Sequence, residues 1–388
     1  SACRLIGYQG GFFASTPNVG LLYSNNLGLF FQHYTESTDT YSAEETVAAS
    51  GLYNLQSLTG TSTRNNETIV FWIDSSYHGW YRIRSAGAAG TWGTAVDLGA
   101  IFGADCRAIA CTGNLGVDNE VVFYYTNGTD VKRNFIINGT LGTADTFIGN
   151  YGTMLGDADF QAPQHSIDKF CLTYHLNTND IKLATVNRAN YSRVSTQGVL
   201  MGYNGDPGLG VAALTQQTAR YGDSQLVVWN GNDGYSHGAV YDHATQAITL
   251  ADTKFSADYF DVHNAAGCTI SSDGYVYLVY GGRGGWETIN YGVSKSNYPL
   301  SHASFTLAAF TDISPSSQIG RGYKNPIVDA NGILHLQIVS NLTGTDGGNV
   351  IRMMNYNGSS WSTPQNIWNI SGTSSPANNS YTNDVALG

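Results

Sequence analysis

Leu226-Val227-Val228-Trp229-Asn230 is a short apolar burst closed by a polar residue, and the chain repeats it. Equivalent bursts are Leu29-Phe30-Phe31-Gln32-His33, Val70-Phe71-Trp72-Ile73-Asp74, Val122-Phe123-Tyr124-Tyr125-Thr126, Cys171-Leu172-Thr173-Tyr174-His175, Tyr277-Leu278-Val279-Tyr280-Gly281 and His335-Leu336-Gln337-Ile338-Val339. The seven are spaced by roughly 40 to 60 residues, the length of a four-stranded repeat unit. A short apolar strand precedes each burst, as in Ala108-Ile109-Ala110 or Asn325-Pro326-Ile327-Val328. Turn residues intervene, plainest in Ser272-Asp273-Gly274 and Ala330-Asn331-Gly332, where Asp-Gly and Asn-Gly favour hairpins. A third strand follows, such as Tyr81-Arg82-Ile83-Arg84, and a fourth often carries a Trp, as in Gly90-Thr91-Trp92-Gly93 and Ser359-Ser360-Trp361-Ser362.

This pattern predicts an all-β chain: a seven-bladed β-propeller of four-stranded antiparallel blades, with helix nearly absent. The blades fall near residues 1–52, 53–103, 104–156, 157–207, 208–258, 259–318 and 319–370. A polar tail over 371–388 either closes the ring or hangs free. No linker breaks the period, so a single domain over 1–388 is expected. Two packed β-sandwiches would not give one period from end to end.

Composition agrees. The 388 residues include 46 Gly, 25 Tyr, 8 Pro and 4 Met, with 42% hydrophobic and only 12% charged residues. Tyr, Val, Ile, Thr, Gly and Asn suit half-buried strands and tight turns, and the apolar share is enough for a large core. The formal net charge of −11 and the absence of a basic cluster argue against a nucleic-acid partner. No apolar run approaches the roughly 18 residues of a membrane-spanning helix. The start, Ser1-Ala2-Cys3-Arg4, reads as a processed or trimmed chain. Low Lys and high Tyr, Gly and Asn favour a secreted, extracellular glycoprotein, and N-x-S/T sequons stand at Asn66, Asn127, Asn138, Asn190, Asn341, Asn357, Asn369 and Asn378. Five cysteines leave at least one unpaired, and with no C-x-x-C pair a thiolate zinc site has no support.

Aligning the bursts places His33, Asp74, Thr126, His175, Asn230, Gly281 and Val339 in one column at the strand ends. The column before it holds Gln32, Ile73, Tyr125, Tyr174, Trp229, Tyr280 and Ile338, and just beyond lie Tyr34, Tyr77, His78, His237, Arg283 and Trp286. In a propeller such residues gather on the axis-facing rim, so one ligand site is expected there. It would draw on His33, Tyr77, His78, His175, Trp229, His263, Asn264, Tyr280, Arg283, Trp286, Tyr323 and Lys324.

Residues 261–296 carry a more specific signal. They read Asp261-Val262-His263-Asn264, then Asp273-Gly274 through Tyr280, then Arg283, and finally Asn290-Tyr291-Gly292-Val293-Ser294-Lys295-Ser296. This stretch resembles the blades of BNR-repeat propellers, a group that includes polysaccharide lyases acting on uronate-containing glycans. The seventh repeat resembles them more weakly through Asn325-Pro326, Asp329 and Gly332-Ile333-Leu334-His335. The resemblance implies a His opening an inner strand and a polar residue ending the next, at His263 and Arg283. It also departs from the pattern, because those lyases carry a His pair in an early blade and the position facing His33, near Phe13, holds no His.

On that footing the expected function is a β-eliminative lyase cutting next to a uronic acid. Arg283 or Lys324 would neutralise the carboxylate and so acidify the C5 proton. His263 or His33 would remove that proton, and Tyr280 or a second His would protonate the leaving oxygen. Asn264, Tyr77, His78, His175, Trp229, Trp286 and Tyr323 would bind substrate. No organic cofactor and no metal ligand set is expected, with a structural Ca²⁺ in the channel left open. A hydrolase is disfavoured because the column offers one carboxylate where two are needed. Two alternatives stay open. One is a lectin that binds glycans without turnover, although unlike columns from blade to blade argue against repeated pockets. The other is a fungal secreted pericyclase of the hetero-Diels–Alderase kind, which an aromatic funnel poor in carboxylates would suit. The expected partner is a glycan or small-molecule ligand, and the protein a monomer.

Overall fold

The computed structural model describes residues 3–7, 19–25, 28–35, 38, 40–49, 57–74, 76, 78–98, 109–114, 119–127, 130–149, 160–161, 165–166, 169–176, 180–187, 193–197, 216–221, 224–230, 236–254, 267–270, 275–281, 291–297, 307–309, 325–328, 332–341, 348–363 and 365–371. Its regular elements are strands. The first sheet holds β1 (Cys3–Gly7), β2 (Val19–Asn25), β3 (Gly28–Thr35), β4 (Thr40–Tyr41) and β5 (Glu45–Ala49), and the second β6 (Ser57–Ser62), β7 (Thr68–Ile73), β8 (Gly79–Arg84) and β9 (Val96–Asp97). The third comprises β10 (Ile109–Asn114), β11 (Glu120–Asn127), β12 (Asp130–Ile137), β13 (Thr140–Leu141) and β14 (Asp145–Ile148). The fourth is β15 (Phe160–Gln161), β17 (Lys169–Leu176), β18 (Asp180–Asn187) and β19 (Arg193–Gln197); β16 (His165–Ser166) instead joins the third sheet by pairing parallel with β10. Then come β20 (Gln216–Tyr221), β21 (Ser224–Asn230), β22 (Ser236–Asp242) and β23 (Ala247–Lys254) in the fifth sheet. The sixth has β24 (Gly267–Ile270), β25 (Tyr275–Gly281), β26 (Tyr291–Asn297) and β27 (Leu307–Ala309). The seventh has β28 (Asn325–Val328), β29 (Leu334–Asn341), β30 (Gly348–Tyr356) and β31 (Gln365–Ser371).

Among the described residues, five of these sheets have the four strands expected of a blade, and the first and third depart with five and six strands. Uniform four-stranded blades are therefore not what forms. The chain divides into two compact units, one covering Ser1–Gly202 and the other Tyr203–Tyr381. In the first unit the leading strands pack in succession, β1 on β6, β6 on β10 and β10 on β15. In the second, β20 packs on β24 and β24 on β28.

Packing in the first unit explains the apolar bursts. Every residue of β7 is buried, because the strand has a sheet on each face. Val70 and Trp72 pack with Ile6, Leu22, Leu29, Phe31 and Val47 of the first sheet. Ile69, Phe71 and Ile73 point the other way, against Ile109, Cys111, Val121, Phe123 and Tyr125 of the third. The third sheet turns Val122 and Tyr124 toward Leu172, Ala184 and Val186 of the fourth. A strand covered on both faces loses the apolar–polar alternation of a one-sided strand and reads as a continuous run. Gly60 on β6 sits at this close approach, where a Cβ would lie 2.9 Å from Ile6 Cδ1 and 3.2 Å from Ile69 O. Asn138 and Gly139, both at positive φ, form the two-residue turn that joins β12 to β13.

Two expectations need correction. Six bursts lie on the second strand of their sheet, but Leu29–His33 lies on β3, the third strand of the first sheet. His33 therefore leaves the aligned column. The Trp assigned to the fourth strand sits earlier, in the turn after the third, where Trp92 bridges Arg84 and Trp361 bridges Tyr356. Of the sequons, Asn66 is buried, while Asn138 and Asn357 are exposed on turns. Cys111 and Cys268 are buried and form no disulfide.

Candidate functional site

A cleft of about 710 Å³ opens between the first and second sheets. Val47, Ala48 and Ala49 of β5 form one wall; Trp72, Asp74, Trp80 and Arg82 form the other, with Trp92 to Ala95 alongside. The register of the β7–β8 hairpin assembles the aromatic part. Trp72 and Trp80 are directly opposite, their rings nearly parallel at 7° with centroids 6.3 Å apart. Trp72 is buried, whereas Trp80 and Trp92 keep part of their rings open.

Asp74 closes the loop between β7 and β8. Its Oδ1 accepts from the backbone N–H of Ser76 at 2.8 Å and of His78 at 3.0 Å. Its Oδ2 accepts from Trp80 Nε1 at 3.0 Å. Arg82 reaches across the cleft floor: Nε donates to Gly93 O at 2.6 Å, and Nη1 donates to Thr46 O at 3.3 Å and to Val47 O. Its guanidinium lies 5.9 Å from the Trp92 ring, and burial draws its pKa down from the usual arginine value. Nη2 makes no hydrogen bond among the described residues.

Beneath the cleft, Arg84 binds the sheets together. It is 2% exposed and meets Glu45 of β5 with Nε to Oε2 at 2.8 Å and Nη2 to Oε1 at 2.9 Å. The remaining donors go to the carbonyls of Ser85, Gly87 and Ala88, which satisfies the whole guanidinium. Trp92 Nε1 also donates to Glu45 Oε2, at 2.8 Å. His33 stands beside this pair, edge-on to Phe31 at 4.7 Å. Burial, then the charge of Arg84, lowers its pKa to about 4 against a partial opposing effect of Glu45.

The set is not repeated in the next sheet. Superposing the hairpin ends Ser62–Thr68 and Gly113–Val121 puts Tyr125 at the place of Trp72, Asn127 at Asp74, Lys132 at Trp80 and Asn134 at Arg82.

Comparisons with known proteins address the fold. No protein-family model matches the chain, and no curated protein matches it significantly. Among solved structures it is similar to the BP39L lectin from Burkholderia pseudomallei, with a TM-score of 0.67, 13% identity, and 94% of this chain and 98% of that one covered. The chain is a β-propeller. A prolyl endopeptidase structure is similar over 92% of this propeller and 48% of its own chain, at a TM-score of 0.53 and 8% identity. The Aleuria aurantia lectin, described as six-bladed, scores 0.48 at 11% identity over 81% of this chain and 97% of that one, too weak a likeness to set a blade number. At such identities the likeness is one of fold.

The propeller places few of the expected rim residues where side chains are described. His33 is 3% exposed in the core below the cleft. His78 is exposed at the end of the Asp74 loop and contributes its backbone N–H. Tyr280 lies on β25 opposite Gly292, His175 on β17 opposite Ile181, and Trp229 on β21 opposite His237. His263, Asn264, Arg283, Trp286, Tyr77, Tyr323 and Lys324 lie outside the described residues. Asp74 stands in the column expected from the sequence, whereas Trp72, Trp80, Arg82 and Trp92 were not expected there as a group. The available signal was crowding, since three of the seven Trp in the chain fall within residues 72–92.

Proposed function

We propose that this propeller is a glycan-binding protein, a lectin without turnover, and that the cleft between its first two sheets holds the sugar. The carrying observation is the juxtaposition of partly open Trp80 and Trp92 rings with one carboxylate and one guanidinium in a single cleft. Indole faces cover the apolar C–H faces of a pyranose, while Asp74 and Arg82 offer an acceptor and a donor for hydroxyls. A 710 Å³ space suits one or two sugar units. The likeness to BP39L, a lectin, supports the same reading at the level of fold. It is better supported than a uronate lyase. Among the described residues, Asp74 is the one carboxylate lining the cleft, it accepts three hydrogen bonds, and no His lines the space.

We further propose that the seven sheets are propeller blades, the first and third enlarged, and that the protein is secreted. The test of the site is calorimetric titration with glycans chosen from an array screen, on the native protein and Trp80→Ala. Loss of one stacking face should weaken binding at least tenfold, about 1.4 kcal/mol. Unchanged affinity in a folded Trp80→Ala protein would remove the cleft from consideration.

A further inference from the structure

The cleft holds opposite charges that do not pair with each other. Asp74 and Arg82 both line it, yet among the described residues no ion pair joins them. The Glu45–Arg84 pair beneath is already neutralised internally. Among the described residues, formal charge at the cleft therefore sums to zero. Hydrogen-bonding capacity is left on both signs: Arg82 Nη2 has no acceptor, and Asp74 Oδ2 receives a single bond, from Trp80.

From this arrangement we infer the ligand class: a neutral pyranose presenting adjacent hydroxyl groups, in preference to a uronic acid. The inference rests on the reading of the cleft as a glycan site. A guanidinium only donates and an ionised carboxylate only accepts. A hydroxyl does both, so one hydroxyl accepts from Arg82 Nη2 while its neighbour donates to Asp74 Oδ2. A uronate carboxylate satisfies Arg82 but sets a second negative charge beside Asp74 in the same cleft. Like charges placed side by side at a binding site are unfavourable. Trp80 and Trp92 have no charge preference among sugars, so the choice falls to the two ionic side chains.

The experiment is titration calorimetry at neutral pH with methyl glucoside, galactoside and mannoside, each paired with its own methyl uronide, on the native protein and Asp74→Asn. Asparagine keeps an oxygen for the Ser76 and His78 amides, so the loop retains its closure while the charge is lost. The native protein should bind at least one neutral glycoside ten or more times tighter than its uronide. In Asp74→Asn that ratio should fall by about tenfold. A native protein that prefers a uronide overturns the inference and leaves glycan binding standing, as does a ratio unchanged in a folded Asp74→Asn protein. Binding of none of the six glycosides by natively folded protein overturns the glycan reading itself.

Discussion

His33 shows how one residue couples the core below the cleft to pH. It is held neutral by burial and by the neighbouring Arg84 charge, with a folded pKa of about 4 against an ordinary 6.5. In the unfolded chain the imidazole takes up a proton near its ordinary value. Between pH 6.5 and 4 the unfolded state therefore binds more protons than the native one, and stability must fall as pH falls. The contribution is fully present above 6.5 and lost by 4, an upper estimate of roughly 3 kcal/mol. Urea midpoints measured across this window should drop, and His33→Phe should flatten that part of the profile. A native protein whose midpoint stays level from pH 6.5 to 4 would contradict the assignment. Trp80 and Asp74 are the other residues whose replacement is informative, and their expected effects are on ligand affinity.

At the scale of elements, β8 does two jobs with alternate side chains. Trp80 and Arg82 line the cleft, while Arg84 at its end clamps Glu45 of β5. Removing one member of a buried pair strands the other, which typically costs about 3–5 kcal/mol. Glu45 is 25% exposed, so Arg84→Ala should fall at the lower end, near 3 kcal/mol by chemical denaturation. Arg84→Lys should recover little, since an ammonium cannot make the two-pronged contact or reach three carbonyls. A loss under about 1 kcal/mol would reduce the clamp to an ordinary surface pair. Five of the seven third strands share a second feature. Register shifts occur where they meet their outer partners, between Leu29 and Phe30, Val131 and Lys132, Thr185 and Val186, Gly238 and Val240, and Ile351 and Arg352. Bulges of this kind raise local twist and turn an exposed edge away from further pairing.

For the whole molecule, the formal net charge of −11 repels polyanions. The protein should therefore retain no duplex DNA or RNA in a gel-shift assay at physiological salt, and a shifted band would contradict this reading of its charge.

The chain by itself determined the class of fold and its period. Strands covered on both faces must be apolar throughout, so each repeat announces itself as a burst, and Asn-Gly or Asp-Gly marks the hairpins between them. Which strand of a repeat carries the burst was not legible in the first one. Leu21-Leu22-Tyr23 and Leu29-Phe30-Phe31 are equally apolar because β2 and β3 are equally buried, and composition cannot rank them. The cleft was decided by tertiary structure alone. Trp72 meets Trp80 through hairpin register, and Arg82 finds its acceptors on Thr46 and Val47, some 35 residues away in another sheet. Backbone carbonyls of a neighbouring sheet leave no residue-type signature, so only their approach in space shows where this site forms.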